Sequence, residues 1–193
     1  MPSTAIKTTL AMMTEALDIA VSVPCPTWRT AVPGVEGVVR RAAHAAFEAV
    51  PPPGARAEAG IVLADDSLVR GLNRDYRGRD EPTNVLAFAN LEDRGGRRVA
   101  RPDGAPAALG DVVLAYETAA AEAAEEGKAL SDHLSHLVVH GMLHLLGYGH
   151  ETETEADPME RLEIQVLLRL DIANPYLDRA EMMTKGDGRP IRQ

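Results

Sequence analysis

Three of the six histidines in this chain of 193 residues fall within one short stretch, HGMLHLLGYGH, from His140 to His150. Their spacing, H-x3-H-x5-H with Gly147 between the second and third, is that of a metal site. On a helix, His133, His136, His140 and His144 lie within about 80° of one another. They cannot all share one ion, because a rise of roughly 1.5 Å per residue leaves His136 and His144 about 12 Å apart. Zinc–nitrogen bonds of about 2 Å admit two imidazoles one turn apart, and no more from a straight helix. The pair is therefore 136/140 or 140/144. Gly147 selects the second, since a left-handed turn after His144 lets the chain double back and bring His150 to the pair. Three neutral imidazoles, His140, His144 and His150, with a fourth position for water make the pattern of a catalytic zinc, one per chain. His133 and His136 are then outer or surface residues.

The same frame, HxxxHxxGxxH, occurs in metzincin peptidases, which carry a glutamate after the first histidine to take a proton from the attacking water. Here that position is Gly141. An amide hydrolase would need its base from elsewhere. A phosphodiester is less demanding, because a metal hydroxide can attack and a cation can steady the phosphate charge. A glycine inside a helix costs about 1 kcal/mol relative to alanine, so a close backbone approach is expected at Gly141.

The elements that must position these residues follow from patterning. Residues 17–23 alternate as a first strand, closed by the breakers of PCPTW; Pro33-Gly34 opens a helix that PPPG at 51–54 stops. His44 within it has no chemical task. Residues 57–66 read as a second strand ending in an acidic turn, and Ser67 as the cap of a short helix, SLVRGLNRDYR. A strand from Val85 to Ala89, an exposed loop or hairpin over 92–108 and a strand over 109–116 come next. Glu117 to Gly127 is a helix ended by glycine, Ser131 caps the histidine helix, and Glu153 to about Leu170 forms a last amphipathic helix through Met159, Leu162, Val166 and Leu170. This order predicts a single α+β domain: a small mixed sheet with helices packed around it, its core over about 15–175, followed by a disordered tail from about 180 to 193.

Composition narrows the function class. Hydrophobic residues are 45% and charged residues 25%, an ordinary globular mixture, and the formal net charge of −9 argues against coating by nucleic acid through bulk electrostatics. Local basic clusters remain: Arg70, Arg74, Arg77 and Arg79, then Arg94, Arg97, Arg98 and Arg101. By composition alone such clusters are solvated faces. Cys25 is alone, which excludes an intramolecular disulfide and suits a reducing compartment. No apolar run approaches a membrane span, and the first residues make a poor signal peptide, so a cytoplasmic protein with no membrane partner is expected.

Three blocks, LNRDYRGRDEPTNVLAFA (72–89), LGDVVLA (109–115) and HGMLHLLGYGH (140–150), resemble the YbeY endoribonucleases. With the helix leading into the last block, the resemblance covers roughly residues 58–170. It implies an α+β hydrolase that binds one zinc through His140, His144 and His150. It also implies single-strand-specific cleavage of RNA in 16S rRNA 3′-end maturation and ribosome quality control, with the small ribosomal subunit and its assembly factors as partners. The family's key arginine, in the YR pair before the PTNVL strand, falls on Arg77, which becomes the catalytic candidate; Arg74 and Arg79 become candidate substrate contacts. One departure stands out: the family's aspartate before the last histidine is Gly149 here, leaving Glu151 as the acid nearby. Two rivals to a ribonuclease are a zinc peptidase or amidase with its base elsewhere, such as Glu151, and a non-catalytic ribosome assembly factor whose zinc only staples the fold.

Overall fold

Among the described residues, one mixed sheet of four strands, in the order β1-β2-β4-β3, organises the chain. The strands are β1 (Leu17–Ser22), β2 (Ala57–Ala64), β3 (Val85–Ala89) and β4 (Ala107–Ala115). The computed structural model describes residues 17–50, 56–90, 105–149 and 153–176, with backbone alone for 153–155. Six helices lie among them: α1 (Thr27–Ala31), α2 (Val35–Ala49), α3 (Asp66–Arg77), α4 (Tyr116–Glu125), α5 (Leu130–Leu145) and α6 (Glu153–Arg169). β1 pairs with β2, and β2 with β4, in parallel; β3 runs antiparallel along β4 and forms the sheet's outer edge. The parallel pairs require crossovers, which α2 supplies between β1 and β2, and α3 with β3 between β2 and β4. The α+β architecture expected from the element order is the one observed.

Alternation decides which side of each strand meets the core. Leu17 and Ile19 of β1, Ile61 and Leu63 of β2, and Val112 and Leu114 of β4 turn inward to one face, where the main hydrophobic cluster lies. α5 packs on this face against β3 and β4, and also touches α2, α4 and α6. Enclosed by so many neighbours, it buries residues all around its circumference, from His133 and Leu134 to Leu143 and Leu145. Such a helix is a rigid place to mount a site. On the other face, Ala64, Val69, Leu86, Val113 and Ala115 form a second, smaller cluster beneath α3.

Several boundaries differ from the sequence reading. The breakers of PCPTW run into α1, which buries Trp28 completely and lets its indole N–H donate to the Ala64 carbonyl at 3.0 Å. A buried indole needs such an acceptor, and the tryptophan there outweighs the local breaker signal. α3 is capped by Asp65, not Ser67: its carboxylate accepts from the Leu68 N–H at 2.8 Å. α5 starts at Leu130 after Ala129, so Ser131 lies within the first turn and donates to the Asp132 carboxylate. β4 begins at Ala107, inside the segment expected to be loop, because Ala107 and Ala108 pair with Ala57 and Glu58. The tail from 180 to 193 and most of the 92–108 segment lie outside the described residues.

Candidate metal centre

Gly147 ends α5 as its position in the sequence suggests. Its φ is 94°, in the left-handed region that side chains disfavour. The Tyr148 N–H reaches back to the Leu143 carbonyl and the Gly147 N–H to that of His144, each at 3.0 Å, which together form a Schellman motif. This turn brings the Tyr148 carbonyl to within 3.0 Å of His144 Nδ1. A carbonyl only accepts, so Nδ1 of His144 carries a proton, and in the neutral ring Nε2 holds the lone pair.

His140 is fixed in the same sense by a different partner. Its Nδ1 lies 2.6 Å from Glu163 Oε1, on α6. Glu163 is only 1% exposed. Burial pushes its carboxyl upward, but the neighbouring His136 and His140 rings and the Tyr176 hydroxyl outweigh that and draw it down to about 2. As a carboxylate it can only accept, so His140 also donates from Nδ1; in the neutral ring Nε2 is then the acceptor.

The two Nε2 atoms then face each other 3.1 Å apart. Two converging lone pairs repel unless something positive lies between them. A proton on one ring would serve, and so would a divalent cation. Zinc with bonds of about 2.0–2.1 Å in tetrahedral array sets its nitrogens roughly 3.3 Å apart, close to the spacing of this pair. Both rings have their outer nitrogen held by an acceptor, the arrangement that metal-binding imidazoles use to fix their tautomer. Among the described residues no group of three His, Cys, Asp or Glu is placed to hold a metal. The expected third ligand, His150, lies outside them, as does Glu151.

The other histidines of α5 divide in two. His133 is 5% exposed, and its Nε2 lies 2.8 Å from Glu122 of α4, which also accepts from Asn84 Nδ2 at 3.0 and 3.1 Å. It braces α4 and the turn before β3 rather than a metal, and it is a buried residue, not a surface one. His136 Nε2 stands 3.7 Å from Glu163 Oε2, and its ring meets Tyr176 edge-on at 6.1 Å. It lines the back of the pair.

Arg77 is the last residue of α3, exposed, on the segment leading to the outer strand β3. Buried Asn73 holds the following loop, donating from Nδ2 to the Glu81 carbonyl at 2.8 Å while its own carbonyl accepts from the Arg79 N–H. α3 packs on β3, β4 and α4, and α5 lies across the opposite face. Among the described residues no hydrogen bond or ion pair joins Arg77 to the histidines. Arg70 is taken up by a two-pronged pair with Asp80 at 2.8 and 2.9 Å, and Arg74 by Asp75 at 3.0 Å. Arg77 and Arg79 have no ion-pair partner among the described residues, which leaves their guanidinium groups available to an anion. The second arginine cluster reaches from 94 to 101 and lies outside the described residues.

Gly141 shows why the peptidase glutamate has no counterpart. A Cβ there would stand 2.5 Å from Val112 Cγ1 on β4. The position faces the sheet, and a side chain there would have to displace Val112.

Sequence reasoning missed Glu163, the Tyr148 carbonyl and Tyr176. Glu163 had a readable signal: it lies four residues after Met159 and three before Val166, so it occupies the buried stripe of α6. A carboxylate in such a stripe needs a partner.

The family described as Endoribonuclease YbeY matches residues 30–171. An endoribonuclease YbeY of Paramagnetospirillum magneticum is 54% identical over 164 residues, covering 85% of this chain and 98% of its own length. The relative of the same name from Rhodospirillum rubrum is 48% identical over 168 residues, covering 84% and 82%. That from Rhodopseudomonas palustris is 50% identical over 144 residues, covering 75% and 81%.

Proposed function

Because this chain belongs to the YbeY endoribonuclease family, we propose that it is a zinc-dependent endoribonuclease. Its substrate is single-stranded ribosomal RNA, and its role lies in 16S rRNA 3′-end maturation and ribosome quality control in the cytoplasm. The observation that carries the metal reading is the pair of Nε2 atoms 3.1 Å apart on His140 and His144, each ring tied at Nδ1 to an acceptor. His140, His144 and His150 would hold the ion. When bound, zinc supplies Lewis acidity toward water and toward a phosphate oxygen.

The remaining work falls to the chain's own side chains. The carboxylate of Glu163 and the carbonyl of Tyr148 keep the two rings aimed. Arg77 offers a planar guanidinium that can grip two non-bridging phosphate oxygens as negative charge accumulates on them. Arg79 and Arg74 extend the basic track for neighbouring phosphates, with Arg74 exchanging Asp75 for the substrate. The small ribosomal subunit and its assembly factors are the partners this substrate implies.

Elemental analysis and RNA cleavage test the reading together. Purified protein should carry about one zinc per chain, and a chelator should stop cleavage of a single-stranded rRNA fragment. His144→Ala should lose most of the metal, while His136→Ala should keep it. The reverse order of loss would overturn the choice of ligands; cleavage unaffected by complete metal removal would overturn the mechanism.

A further inference from the structure

Glu163 is the one acidic side chain among the described buried residues, and three groups converge on it. His140 Nδ1 approaches Oε1 at 2.6 Å, His136 Nε2 stands 3.7 Å from Oε2, and the Tyr176 hydroxyl donates to Oε2. These partners come from two separate parts of the chain. His136 and His140 lie one turn apart on α5, whereas Tyr176 lies beyond the end of α6. Tyr176 reaches the carboxylate because α6 ends in a tight turn, with the Ile172 N–H donating to Leu167 and Asp171 at a φ of 59°. Asn174 then braces the segment, its Oδ1 accepting from the Tyr176 N–H at 2.9 Å.

We propose that Glu163 is the positioning residue of the metal centre, and that Tyr176 sets its orientation, so that the segment after α6 governs how tightly the ion is held. The inference rests on the reading of His140 and His144 as ligands. A carboxylate behind an imidazole does three things: it fixes the tautomer, locks the ring's rotation and raises the basicity of the coordinating nitrogen. With Oε1 on His140 and Oε2 on Tyr176, the carboxylate cannot swing without breaking one of the two bonds. The second oxygen is thus the lever through which the segment at 172–176 acts on His140. The acid stands where the motif that holds the ligands gives no hint of it, at the position of α6 opposite α5.

The test uses the full chain and zinc itself as the probe. Zinc affinity is measured by competition with a chromophoric chelator for wild type, Glu163→Gln, Glu163→Ala, Tyr176→Phe and His140→Ala. Alongside it, the His140 tautomer is read from the imidazole nitrogen shifts of each metal-free protein, and melting temperature from the same samples. Glu163→Gln and Glu163→Ala are expected to weaken zinc binding by about 10–100-fold. In the alanine variant His140 should lose its preference for the Nδ1–H form. Tyr176→Phe should give a smaller loss in the same direction, with the tautomer retained. If the glutamine and phenylalanine variants bind zinc as wild type does while His140→Ala loses it, the positioning role is overturned and the ligand assignment stands. If His140→Ala itself binds zinc undiminished, the metal-centre reading falls. A lower melting temperature with unchanged zinc affinity and tautomer would make Glu163 a brace between α5 and α6 only, and would also overturn the proposal.

Discussion

Gly141 sits where α5 crosses β4, and a Cβ there would stand 2.5 Å from Val112 Cγ1. A glycine inside a helix signals close approach, and the approach is real, but its partner Val112 lies on β4 and no local pattern names it. Gly141→Ala should gain about 1 kcal/mol of helix propensity. It must also force a Cβ into a stiff β-branched side chain, an overpacking cost of about 1–3 kcal/mol. A lower melting temperature is therefore expected, and an increase would show that α5 can lift off the sheet freely. Arg77→Ala behaves oppositely. The side chain is exposed and without an ion pair among the described residues, so its loss should leave stability within about 0.5 kcal/mol. Losing one donor to the transition state should cut RNA cleavage by roughly 10²-fold at equal zinc content. Arg77→Lys should recover only part, because a point charge cannot grip two oxygens. Cleavage by the alanine variant within about threefold of wild type would falsify the assignment. Glu163 went unread for a different reason. The stripe through Met159, Leu162, Val166 and Leu170 accounts for the helix without it, and although spacing places 163 in that stripe, only packing names the partners His140 and Tyr176.

Helix starts were the least legible elements, because capping depends on which carboxylate the tertiary fold brings near. Asp65 caps α3, and its neighbour Asp66 crosses to α4, accepting from the Thr118 N–H at 3.0 Å and from the Thr118 hydroxyl at 2.9 Å. Glu117 reciprocates, accepting from the Asp66 N–H at 2.8 Å. The two N-termini cap each other across more than fifty residues of sequence, which no local rule anticipates. Further along α4, Glu122 joins Asn84 to His133, so this helix ties the arginine-bearing segment to the histidine helix. Asp66→Ala should cost about 1–2 kcal/mol, the usual scale for losing a cap with its hydrogen bonds. Combined with Thr118→Ala, the loss should be clearly less than the sum of the two single changes. Additive losses in that cycle would mean the cross-link contributes nothing. By contrast, the end of α5 was legible from Gly147 alone, since the left-handed turn is a local demand.

At the scale of the whole molecule, the element order and the mixed sheet could be read from alternation and breakers, although β4 buries residues on both faces. The sheet order could not, since pairing β2 with β4 across an intervening helix and strand is a long-range choice. That sheet also decides what the metal is for. The main core runs from Trp28 and Val39 through Ile61 and Leu114 to Leu143 and Leu167, beneath α2, α5 and α6. A chain of this length buries enough apolar surface to fold alone, unlike the small domains that zinc must staple. The proposed ligands His140 and His144 stand in the last two turns of α5, with His140 partly exposed. Removing zinc should therefore leave one cooperative thermal transition and abolish RNA cleavage. Restoring it should raise the melting temperature, with the increment growing as the logarithm of free zinc above its dissociation constant. At about one hundred times that constant the gain is about 2.7 kcal/mol, set by binding to the native state alone. Loss of cooperative melting on chelation would instead make the ion a structural staple, and would favour a non-catalytic assembly factor over an endoribonuclease.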